Sequence, residues 1–113
     1  MQAVIETEPI RETQGDDWIW PFALLDENDD PIDLTGVSFD GAAIKWDGGA
    51  LPLSLANGRL AVEAAAGAIT VMVARADAVA IPAHQRSRMV LPIVDTQDRK
   101  STLLIIPVQI RVP

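Results

Sequence analysis

Along the chain apolar residues recur at every second position, and no stretch sustains the 3.6-residue spacing of an amphipathic helix. That pattern predicts strands throughout. Between Asp17 and Leu25, Trp18, Trp20, Phe22 and Leu24 fall on one side of an extended chain, while Ile19, Pro21, Ala23 and Leu25 fall on the other. Four bulky groups on one face make a core strand. The segment Asp26-Glu27-Asn28-Asp29-Asp30-Pro31 concentrates turn formers and is expected to reverse the chain before Ile32 and Leu34 return to the interior. Ala42 to Trp46 and Leu51 to Leu55 read as short strands around Asp47-Gly48-Gly49, and Asn57-Gly58 predicts a tight turn into Arg59 to Glu63. A meander of short strands is the expected result. Ile69, Val71 and Val73 then alternate with Thr70, Met72 and Ala74, and one short helical turn is expected near 76–82, stopped by Pro82.

The two closing strands carry apolar residues on both faces. Met89, Leu91 and Ile93 lie opposite Val90, Pro92 and Val94; after a turn, Leu104, Ile106, Val108, Ile110 and Val112 form one face, and Leu103, Ile105 and Pro107 begin the other, which Gln109 and Arg111 finish. A strand apolar on both sides needs cover on both sides. Proline is confined to edge strands, strand ends and bulges, so Pro21, Pro92 and Pro107 suggest edges whose outer faces are covered by sandwich loops or by another subunit. The expected fold is an all-β, immunoglobulin-like antiparallel β-sandwich forming a single domain over 1–113, with 1–14 as an N-terminal arm or edge strand.

Composition narrows the functional classes. A chain of 113 residues with 49% hydrophobic content makes one domain with a core of its own. The longest strongly apolar run, Leu103 to Val108, is far short of the roughly 20 residues that cross a bilayer, so membrane insertion is not expected. The opening Met1-Gln2-Ala3-Val4-Ile5-Glu6 lacks the basic flank of a signal peptide. The absence of cysteine excludes disulfides and thiol chemistry, and a single imidazole, His84, does not suffice for an ordinary zinc site. Ser87 and Asp95 stand near His84 in sequence, but no nucleophile elbow surrounds the serine, and phosphate-binding glycine loops are absent. The chain is therefore expected to be no enzyme and to use no cofactor. Asp26-x-Asn28-x-Asp30 has the alternate spacing of a calcium loop, yet Pro31 replaces the required glycine and Val37 the bidentate glutamate, so a solvated acidic turn is expected instead. Trp18, Trp20 and Trp46 raise the alternative of a small carbohydrate-binding module; the face shared with Phe22 and Leu24 assigns the first two to the core.

Charge is laid out unevenly. The net charge of −7 disfavours nucleic-acid binding through a basic footprint. Residues 1–40 carry a net −10 and residues 41–113 a net +3. Strands of opposite charge can lie side by side within one copy, or the acidic end of one copy can meet the Arg86/Arg88/Arg99/Lys100 region of another in a head-to-tail contact. A third reading, an acidic inhibitor mimicking nucleic acid, rests on the −10 segment alone. The candidate contact residues are Arg86, Arg88, Leu103, Ile105 and Pro107, with Asp26, Asp29 and Asp30 as the complementary acidic surface.

The order Gly15-Asp16, Phe22-Ala23-Leu24-Leu25-Asp26 and Pro31-Ile32-Asp33-Leu34-Thr35-Gly36 resembles the opening of a family of small β domains in tailed-bacteriophage virion proteins. These include the amino-terminal domains of baseplate upper proteins and related tail or fibre-attachment proteins. The strand Gly67 to Val73, the turn Ala76 to Ala83, the strand ending in Asp95 and the closing Leu103-Leu104 strand extend the resemblance over about residues 15–112. Asp33 and Thr35 can bond the local backbone and Gly36 allows a positive φ, so the Asp-Leu-Thr-Gly run also has a purely structural reason. The chain departs from the family pattern at Asp29-Asp30, at His84, at Gln85-Arg86-Ser87-Arg88 and at Ile105-Ile106-Pro107. The resemblance implies a structural component of a phage or prophage particle, made in the host bacterial cytoplasm and residing in the virion. It implies a homo-oligomer that contacts other virion proteins, in the tail, baseplate or fibre attachment, or alternatively as head decoration or head-fibre base. Ending at Pro113, such a domain is expected to act as an adaptor, cap or decoration.

Overall fold

In a strand with one face on a core, every second side chain is buried. Trp18, Trp20 and Leu24 are buried while Ile19, Pro21 and Ala23 are exposed, and Ile69, Val71 and Val73 are buried between the less enclosed Thr70 and Met72. The computed structural model describes residues 4–5, 10–83 and 86–112, without the side chains of 4, 5, 103 and 104. Its strands are β1 (Val4–Ile5), β2 (Ile10–Thr13), β3 (Trp18–Ala23), β4 (Ser38–Phe39), β5 (Ala43–Trp46), β6 (Gly49–Pro52), β7 (Leu60–Glu63), β8 (Ala68–Val73), β9 (Ser87–Val94) and β10 (Lys100–Arg111). A single helical turn, α1 (Arg75–Ala78), separates β8 from β9, and a 3-10 turn spans Ala64–Ala66.

The strands form two sheets packed face to face. The larger runs β1-β10-β9-β5-β6, with β2 also on β10 and β4 also on β9, and the smaller runs β3-β8-β7. This is the B-E-D against G-F-C-C′ arrangement of an immunoglobulin-type sandwich, with the first strand moved to the G side. Trp18, Trp20, Leu60, Ile69 and Val71 of the smaller sheet meet Ile44, Met89, Leu91, Ile93, Ile106 and Val108 of the larger in one core cluster. The rings of Trp18 and Trp20 lie 5.7 Å apart with a 13° interplanar angle. Their N–H groups donate to Thr13 O at 3.0 Å and to Glu12 Oε1 at 2.8 Å, so β2 supplies both acceptors.

The sandwich is not wholly antiparallel. Val4 and Ile5 pair with Leu104 and Ile105, and Ile10 to Thr13 pair with Val108 to Arg111, both in parallel. Nor is the middle of the chain a meander, because β5 and β6 form a hairpin in the larger sheet whereas β7 lies in the smaller. Residues 53–59 carry the chain across. Leu53 N–H bonds back to Ala42 O, Asn57 Oδ1 accepts from Ser54 N–H and Arg59 N–H, and Arg59 bridges Pro52 O and the Asp77 carboxylate. The Asn-Gly step therefore turns the chain without making a hairpin.

The prolines show why the closing strands are not edges. β9 lies between β10 and β5, and β10 lies between β9 and the two N-terminal strands. Pro92 sits where both ladders are interrupted: β10 slips register between Thr102 and Leu104 on one side, and β4 gives way to β5 on the other. Its missing N–H thus falls at a bulge. Pro107 falls between the β1 and β2 pairings of β10, and Pro21 lies on β3, which has a neighbour on one side only. Val112 follows the last strand and is 53% exposed, so the inward face of β10 ends at Ile110. The helical turn begins earlier than 76, because the Asp17 carboxylate accepts the Arg75 N–H at 2.7 Å; Ala78 in it and Ile81 just beyond it are buried.

Candidate functional site

The candidate contact residues fall at two ends of the sandwich. At the end where β9 finishes, the loop between β3 and β4 folds back through a turn closed by Asp26 N–H to Asp30 O at 2.8 Å. Asp26 Oδ1 accepts the N–H groups of Asn28 and Asp30, and Asp29 takes a φ of 62°. Asp26, Glu27, Asp29 and Asp30 are all exposed on this tip. Asp95 builds the same turn between β9 and β10, accepting from Gln97 and Arg99, with Asp98 at φ 61°. The Arg99 N–H, against the opposing push of desolvation, holds the Asp95 carboxyl below the usual aspartate range, and the Gln97 N–H and the Arg99 guanidinium add smaller downward contributions. In the Asp-Leu-Thr-Gly run, the Thr35 hydroxyl and then its N–H do the same for Asp33, and Gly36 takes the expected positive φ of 77°.

At the other end, over the start of β9, a groove of about 760 Å³ opens on the outer face of the larger sheet. Its floor is the outward face of β10, Ile105, Pro107 and Gln109; Arg11 of β2 stands on one side and Arg86 and Arg88 on the other, with Arg111 at the end. Register explains the grouping, because Gln109 pairs with Arg11 and Pro107 with Arg88, so that these side chains share the outward face. Lys45, paired with Arg88, extends the positive strip onto β5. Among the described residues the ion pairs are Arg59–Asp77, Arg99–Asp95 and Lys100–Asp40, and none involves a groove cation. Arg11 Nε donates to Gln109 Oε1 at 3.3 Å and Arg111 Nε to Thr13 Oγ1 at 2.9 Å.

The structure brings Arg86, Arg88, Ile105 and Pro107 together in this groove. Leu103 is the residue skipped at the register slip of β10, and its side chain lies outside the described residues. Arg99 and Lys100 do not belong to the same region. Six residues of β9 separate the level of Arg88 from that of Val94, the partner of Lys100, a span of about 20 Å. Both are instead held locally by Asp95 and Asp40. Arg11 and Arg111 are functional candidates that local pattern does not reveal as a pair, since only the parallel pairing of the two chain ends sets them side by side.

Other candidate chemistry is placed as follows. Trp18 and Trp20 are 1% and 5% exposed and offer no ring face to a sugar. Trp46 is half-buried, its ring against Gly49. Ser87 points inward with Trp46 and Val108, and its buried Oγ has no hydrogen-bond partner among the described residues. His84 lies outside the described residues. Among the described residues, no three acidic or histidine side chains converge as cation ligands, and no helix is long and apolar enough to cross a membrane. No family model matches the chain, and no curated protein matches it.

Proposed function

We propose that this chain is a non-enzymatic structural protein of a bacteriophage or prophage particle, a tail, baseplate or fibre-attachment component that assembles through surfaces of its sandwich. The observation that carries the reading is the groove with an apolar floor and arginine walls on the outer face of the larger sheet, in a chain whose net charge is −7. Arginine beside exposed apolar surface is the composition of protein contacts. The resemblance of Phe22 to Asp26 and Pro31 to Gly36 to the virion domains adds the particle as the setting. The floor of the groove contains Ile105 and Pro107, which belong to the segment where the chain departs from that family, as an attachment surface adapted to its own partner would.

Mass spectrometry of density-purified particles from an induced culture of the source bacterium tests the proposal. Peptides of this chain are expected in the particle fraction in fixed ratio to the other structural proteins. Their presence in the lysate but not in particles would overturn it.

A further inference from the structure

We infer that the arginine groove docks the acidic 26–30 turn of a second copy of this chain, giving a head-to-tail contact. The inference rests on the assembly reading above in holding that copies of the chain touch one another, and it names the two surfaces that do so.

Arg11, Arg86, Arg88 and Arg111 surround a floor of Ile105 and Pro107 where β9 begins, whereas Asp26, Glu27, Asp29 and Asp30 form an exposed tip at the end where β9 finishes. A molecule 41 Å long keeps these surfaces apart, so one copy cannot satisfy both. Screening over roughly 8 Å at physiological salt removes any useful attraction between them within the copy. Between copies they can meet directly. The tip presents four carboxylates in five residues, and each arginine offers a planar fork that matches a carboxylate with two parallel hydrogen bonds.

Symmetry decides between the ways two copies can pair. A two-fold contact through the groove face would set Arg11, Arg86 and Arg88 against the same residues of the partner, and like charges brought together cost several kcal/mol. One 26–30 turn set on another fails for the same reason. Of these three arrangements the heterologous one, groove on turn, sets opposite signs against each other, and it repeats from copy to copy into a ring or a row. Asp26 Oδ1 and the backbone bonds around it hold the tip rigid before contact, which limits the ordering cost of docking.

Charge exchange tests the contact on the full chain. One variant reverses the groove, Arg86→Glu with Arg88→Glu; the other reverses the tip, Glu27→Lys with Asp30→Lys, leaving the turn-closing Asp26 and the positive-φ Asp29 in place. All four positions are exposed, and tryptophan fluorescence verifies that each variant folds. Light scattering at low ionic strength is expected to give a mass above the monomer's 12.2 kDa for the wild type and 12.2 kDa for each variant alone. An equimolar mixture of the two variants is expected to recover the higher mass, because every groove then finds a tip of opposite sign. Molar salt, which shortens the screening length to about 3 Å, is expected to dissociate the wild type. A wild type that stays at the monomer mass at low ionic strength overturns the contact, as does a mixture that fails to associate. An oligomer unaffected by either reversal also overturns it while leaving assembly through another surface standing, and particle composition decides the virion reading separately.

Discussion

Trp20 Nε1 donates to Glu12 Oε1 at 2.8 Å, so a carboxylate on the edge strand of the larger sheet caps an indole in the core strand of the smaller one. With Trp18 bonded to Thr13 O, this couples β2 of the larger sheet to β3 of the smaller through two neighbouring acceptors. Glu12→Ala leaves the Trp20 N–H without its partner in a half-buried setting, and is expected to cost about 1–3 kcal/mol. Urea titration followed by tryptophan emission measures it. A loss of only a few tenths of a kcal/mol would mean that water replaces the carboxylate at no cost.

Gly67 and Gly58 both take positive φ, yet their surroundings differ. A Cβ on Gly67 would stand 2.6 Å from Ile32 O and 2.9 Å from Leu24 O, whereas one on Gly58 meets nothing within 4 Å. Gly58→Ala is expected to cost about 1 kcal/mol from the left-handed backbone alone. Gly67→Ala is expected to cost at least about 2 kcal/mol more, because it must also disturb the Leu24 N–H to Gly67 O bond at 2.9 Å. At about 4 °C per kcal/mol, the two melting temperatures should separate clearly. Equal shifts would count against the close approach at Gly67.

Ile105 and Ile106 are adjacent and face opposite ways. Ile106 is 2% exposed in the core, and Ile105 lines the groove. Ile106→Asp is expected to cost more than about 4 kcal/mol through a buried unpaired charge. Ile105→Asp is expected to leave the melting temperature within a few degrees of wild type while weakening any assembly through the groove. Thermal unfolding and light scattering of both variants check the pair of outcomes, and an unfolded Ile105→Asp would move that side chain to the core.

Asp33 and Asp95 hold their turns in the charged form, so their folded pKa values lie below that of an unfolded aspartate at about 3.9. A depressed pKa contributes stability that is complete above the unfolded value and is lost as pH falls through the folded one. The turns at Thr35, Gln97 and Arg99 are therefore expected to loosen only below about pH 4. Amide chemical shifts of these three residues, followed from neutral pH downward, should change with midpoints below that of a free aspartate. Midpoints above it would contradict the hydrogen bonds to Asp33 and Asp95.

Much of the fold is legible in alternation alone. Met89, Leu91 and Ile93 are all fully buried because a period of two on one strand permits no other common face, and the Asp26 and Asp33 turns follow from side chains that bond the backbone two residues on. What alternation does not carry is strand partnership. Nothing local to Ile10-Arg11-Glu12 indicates a parallel ladder with Val108 to Arg111, and nothing in Asn57-Gly58 indicates that the next strand joins the other sheet. For the candidate groove, Ile105 and Pro107 are readable as an outward apolar pair, since they share the phase of Gln109 and Arg111. Arg99 and Lys100 mislead because charge in a sequence does not show its nearest carboxylate, and each has one at its own end of the sheet.

The parallel pairing of β1 and β2 with β10 determines how the domain carries mechanical load. Val4 lies beside Leu104 and Thr13 beside Arg111, so a pull on Val4 directed away from a pull on Arg111 acts along the strands and slides one past the other. The hydrogen bonds of both pairings are then strained together and must yield together. An antiparallel pair held at the same two positions would instead peel open from one end, one bond at a time. Tension between the two chain ends thus meets the collective resistance of a sheared ladder, while force applied across the hairpin of β5 and β6 meets only the bond nearest the load.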